Sequence, residues 1–118
     1  VEKREARVYQ IEFTPTAQVH FYEVLDFFYN NYPLDRAEEL ANELMQMAMS
    51  LSHFPNRGTI EHWLENRTKD YRFLLFKRTT RAEVKIIYFV DDQLAKVYVT
   101  DFFGTEMDVD MLPKRNDK

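Results

Sequence analysis

Lysine and arginine crowd the middle of this sequence. Between Arg57 and Lys85 stand eight Lys/Arg, at 57, 67, 69, 72, 77, 78, 81 and 85, against four acids, at 61, 65, 70 and 83, although the whole chain has a formal charge of −4. Everything outside this stretch is therefore strongly acidic. A local basic patch can meet a polyanion, and its chemistry is contact with a phosphate or a carboxylate through Arg and Lys donors. The acidic total, with a sequence pI of about 5.4, does not predict strong nonspecific nucleic-acid binding.

A second constellation is acidic. In T-D-F-F-G-T-E-M-D-V-D-M-L, Glu106, Asp108 and Asp110 alternate after Gly104. Alternate carboxylates can hold Mg²⁺ or Ca²⁺, but this run lacks the glycine and the terminal glutamate of a calcium loop, so no metal is expected. His20, His53 and His62 have no paired spacing and there is no Cys, which leaves no zinc framework, disulfide or thiolate chemistry. Glu61 and His62 are adjacent and should point apart on an ordered segment, and His53 suits the last-turn carbonyls of a helix. Tyr88 and Tyr98 lie on strands, where cross-strand packing is the expected role of a phenol. No cofactor is expected.

These side chains need a scaffold, and 118 residues suffice for one core and one domain, residues 1–118, with fraying expected at 1–6 and 113–118. A hydrophobic content of 45% with 31% charged residues is that of a compact globule and not of a disordered chain. No window approaches an uncharged membrane span and the start V-E-K-R-E-A-R-V lacks an apolar signal core, so a cytoplasmic protein without membrane contact is the expectation.

Residues 7–13 alternate and predict a strand. Thr14-Pro15 is a helix start, and the apolar positions 17, 21, 24, 25, 28 and 32 form one helical face, with His20, Glu23, Asp26 and Asn30 towards the other. After Asn31-Tyr32-Pro33, Asp35 with Glu38 predicts a capping box and a second helix, with its core stripe at 37, 40, 41, 44, 48 and 51. So short a connection predicts an antiparallel helical hairpin. Met45, Met47 and Met49 widen the second apolar face, as core fillers or as a contact with a partner or another copy in a homodimer. An irregular segment follows, which Trp63 and Leu64 should anchor. Strands are then predicted over 70–78, 84–90 and 94–103, joined by short turns as an antiparallel meander. The order strand, two helices, three strands predicts an α+β fold with the hairpin on one face of a small sheet.

The opening strand with T-P-T-A, L-x-x-x-P-x-x-G from Leu51 to Gly58, Y-R-F-L-L-F at 71–76, and K-I-I-Y-F-V-D-D at 85–92 followed by V-Y-V at 97–99 form an ordered set. That set resembles the RelE/ParE superfamily, the toxins of type II toxin–antitoxin modules, also labelled plasmid stabilization proteins. The resemblance spans nearly the whole chain. It implies a cytoplasmic bacterial toxin, held in check by a cognate antitoxin. The target implied is DNA gyrase for ParE-like members, or the ribosome for RelE-like members that act as mRNA endonucleases.

RNA cleavage of the RelE kind needs a group that activates the ribose 2′-hydroxyl, a cation for the pentacoordinate phosphate and an acid for the leaving oxygen. Candidates should face the open side of the sheet. The resemblance points to Arg72 as a phosphate contact, with Lys85 as the other catalytic candidate and Arg78 and Arg81 adding charge for target binding. One subgroup places arginine after the last strand, in D-x-F-D-T-R-x-N-P; here Asp101, Phe103 and Thr105 match, but Glu106 stands at the arginine. A carboxylate there would repel a scissile phosphate. The reading that results is a toxin that inhibits a macromolecular target, with ParE-like gyrase inhibition preferred. A RelE-like endonuclease and a decayed toxin that keeps only antitoxin binding are the alternatives.

Overall fold

A computed structural model describes residues 7–64, 68–78 and 83–104. Strand β1 (Gln10–Phe13) leads into α1 (Pro15–Asn31) and α2 (Leu34–Met49), and a single 3-10 turn closes the hairpin. Strands β2 (Thr59–Ile60), β3 (Arg72–Lys77), β4 (Glu83–Asp91) and β5 (Lys96–Gly104) complete one sheet of order β1-β5-β4-β3-β2. The α+β fold expected from the sequence is the one observed, with one strand more. β2 has only two residues, too few to carry an alternation, so it was legible only as an irregular segment.

The start of α1 follows from its cap. Thr14 Oγ1 accepts from the Ala17 amide at 3.1 Å, and Pro15 occupies a first-turn position where its missing N–H has no partner to lose. The capping box expected at Asp35 does not form. Pro33 already occupies the cap position and α2 begins at Leu34, so Asp35 lies inside the first turn, where its Oδ1 accepts from Arg36 N at 2.9 Å.

Both helices cover one face of the sheet. Ala17 and Phe28 of α1 and Ala37, Leu40, Leu44 and Ala48 of α2 pack on Leu74, Phe76, Val84, Ile86, Tyr88, Val97, Val99 and Phe102. Met47 joins this core from its margin, whereas Met49 is exposed. A smaller cluster of Leu64, Tyr71, Ile87 and Phe103 occupies the opposite face, flanked by Phe73 and Phe89. Of the expected anchors, Leu64 is buried but Trp63 is half exposed. The short 3-10 turn His62–Leu64 has one inward position, and Leu64 takes it.

β1 runs parallel to β5 and covers it only from Lys96 to Val99. Beyond that point α1 takes over, since the Thr14 amide bonds Val99 O at 3.0 Å and Thr14 Oγ1 donates to Thr100 O at 3.4 Å. A bulge lies at the same level: Tyr88 faces Val99 while Ile87 faces Asp101, so Thr100 is the extra residue. The bulge shifts the alternation of β5. Val97, Val99 and Phe102 thereby face the helices, and Phe103 joins the opposite cluster.

Candidate functional site

The three described cations nominated by the sequence do not converge. Arg72 opens β3 opposite Tyr88 of β4 and Ile60 of β2. By the period of two it shares a face with Leu74 and Phe76, the helix-covered face. Its Nη1 donates to Gly58 O at 2.8 Å, and the Gly58 amide donates to Tyr88 Oη at 2.9 Å. Arg72 thus fastens the turn before β2 onto the sheet. One of the five guanidinium N–H groups is used in that bond.

Gly58 is required by this close approach. A Cβ at Gly58 would lie 2.5 Å from Tyr88 Oη and 2.7 Å from the Phe73 carbonyl oxygen. The phenol of Tyr88 is fully buried, and burial pushes its pKa above the ordinary value, against the Gly58 N–H and the positive charges of Arg72 and Arg57. Tyr88 is therefore a neutral hydrogen-bond partner at physiological pH and not a poised base. Cross-strand packing is what both tyrosines show: Tyr98 stacks on Phe89 at 5.1 Å, and Tyr88 lies opposite Val99 within the same core cluster.

Lys85 lies on the other face of the sheet. Its ammonium is 4.4 Å from the Phe73 ring centroid and 2.9 Å from Glu61 Oε1. Glu61 is only 1% exposed and its second oxygen accepts from the Trp63 amide at 3.0 Å. One carboxylate thus neutralises Lys85 and caps the turn at His62–Leu64. Glu61 and His62 do point apart, the first into the sheet and the second towards the surface.

Arg78 bonds Glu43 of α2 through Nε at 3.0 Å and stacks over Phe76 at 5.1 Å. It lies with Arg72 on the helix-side face, so the expectation that the cations share the open side is corrected for both. The reason is the register of β3, in which even-numbered residues from 72 to 78 point to the helices. Arg81 and the acids Glu106, Asp108 and Asp110 lie outside the described residues. Among the described residues no group of three or more His, Cys, Asp or Glu is placed to hold a metal ion.

Two buried acids were not singled out as site residues by sequence reasoning. Glu61 is one, and Asp101 is the other, fully buried with its Oδ1 2.8 Å from His20 Nδ1. His20, expected on the polar face of α1, is instead drawn to the sheet, because it sits at the flank of the buried face where β5 has lost its β1 neighbour. The available signal was an aspartate inside the apolar run V-Y-V-T-D-F-F.

The sequence matches no protein-family model and no curated protein. Solved structures do match. The chromosomal ParDE toxin–antitoxin system of P. aeruginosa is similar at a TM-score of 0.64 and 11% identity, covering 83% of this chain and 97% of that one. A double-mutant E. coli toxin RelE in the free state is similar at 0.60 and 11% identity, covering 92% and 94%. The RelBE2 toxin–antitoxin complex of Mycobacterium tuberculosis is similar at 0.53 and 17% identity, covering 86% and 97%. The fold of this chain is that of the RelE and ParE toxins, as the sequence resemblance implied. Within the described residues no helix is long and apolar enough to cross a membrane.

Proposed function

We propose that this chain is the toxin of a type II toxin–antitoxin module, acting in the cytoplasm with a cognate antitoxin as its partner, and that it inhibits its target by binding, as ParE-like toxins do with DNA gyrase. The fold supports the family reading. One observation carries the preference for binding over catalysis: Arg72, Arg78 and Lys85 are each engaged by a protein acceptor, and they are divided between the two faces of the sheet. Stabilising a pentacoordinate phosphate takes cations aimed at one point. Inhibition of a protein target needs only surface contacts and tolerates an acidic body.

Expression without antitoxin is expected to arrest growth with signs of DNA damage, and purified chain is expected to inhibit gyrase supercoiling. Arrest with truncated mRNAs and unimpaired gyrase would overturn the target assignment and favour ribosome-dependent mRNA cleavage. That second reading draws on Arg72, whose single bond to a carbonyl leaves N–H groups for a phosphate. Under it, Arg72→Ala abolishes toxicity and keeps antitoxin binding. Overexpression without any growth effect would mark a decayed toxin.

A further inference from the structure

We draw no further inference here: the strongest candidate, the outer edge of β3 at residues 74–77, which β2 leaves without a strand partner among the described residues, carries none because nothing in the structure shows what covers it.

Discussion

His20 of α1 and Asp101 of β5 stand 2.8 Å apart, Nδ1 to Oδ1, with the carboxylate sealed from solvent and the imidazole 18% exposed. A buried carboxylate is tolerated only where donors replace water, and the histidine is one such donor. The pair sits just past the last residue of β5 that β1 covers, at the bulge. It therefore ties the first turns of α1 to the sheet where no strand does so. Removing the imidazole by His20→Ala is expected to cost about 1–3 kcal/mol, since Asp101 stays buried with a donor lost. Asp101→Asn keeps the shape without the charge and should cost less. Urea unfolding with an unchanged m-value measures both, and a His20→Ala loss below about 0.5 kcal/mol would mean that the aspartate is held by its other neighbours.

This contact and the site around it mark the boundary of what could be read from the sequence. Local signals located both helices and the three long strands: Thr14-Pro15 fixed a start, the stripe from Ala17 to Tyr32 a face, and period-two runs the strands. Pairing depends on residues far apart in the chain. His20 and Asp101 are separated by 81 positions and Glu61 and Lys85 by 24, and no local pattern encodes either distance. The bulge at Thr100 matters for the same reason. It inverts the alternation inside a single strand, so that Val99 and Phe102 share a face although their numbers differ in parity. The register of β3 likewise decides that Arg72 and Lys85 are parted by the sheet, a fact that two cations in a list of residues cannot convey.

Lys85 and Glu61 are expected to behave as a coupled pair. Lys85→Met leaves a carboxylate that is 1% exposed without its counterion, a change that costs about 3–5 kcal/mol in buried pairs and less here because the ammonium is 17% exposed. Glu61→Gln keeps an acceptor for the Trp63 amide and removes the charge. The double variant should therefore lie closer in stability to the parent chain than Lys85→Met alone. A double-mutant cycle in denaturant measures the coupling. Strictly additive losses would show that the 2.9 Å contact carries no net interaction.

Gly58 is expected to tolerate no side chain. The nearest obstacles to a Cβ are the Tyr88 hydroxyl and the Phe73 carbonyl, and the second is backbone held in the β2–β3 ladder. Gly58→Ala should thus cost about 1–3 kcal/mol as an overpacking change. Tyr88→Phe in the same chain deletes the hydroxyl but leaves the carbonyl, so it is expected to relieve only part of the strain. Thermal and urea unfolding of the two single variants and the double test this. Full recovery in the double variant would place the whole conflict at the phenol.

Stability is expected to decline at alkaline pH, and the direction follows from three groups. Tyr9 is raised above 10.0 chiefly because its hydroxyl donates to the Asp92 carboxylate, at 2.7 Å, with burial adding to it. Tyr88 is raised above 10.0 chiefly by burial. Lys96 is raised above 10.5 chiefly by its bond to Glu12, at 3.2 Å. In each case the folded chain holds its proton at a pH where the unfolded chain releases it. Each contribution is therefore fully present below the unfolded value and is lost as pH rises through the higher folded one. Unfolding midpoints should be level around pH 8 to 9 and fall from about pH 10 upward, where phenolate absorbance should lag behind that of the denatured chain. Tyr88→Phe removes the one of the three groups that owes its shift chiefly to burial. It should lower stability at neutral pH, because the Gly58 amide loses its acceptor, yet flatten the alkaline decline. A decline as steep in Tyr88→Phe as in the parent chain would assign the effect to Tyr9 and Lys96 at the β1–β5 edge instead.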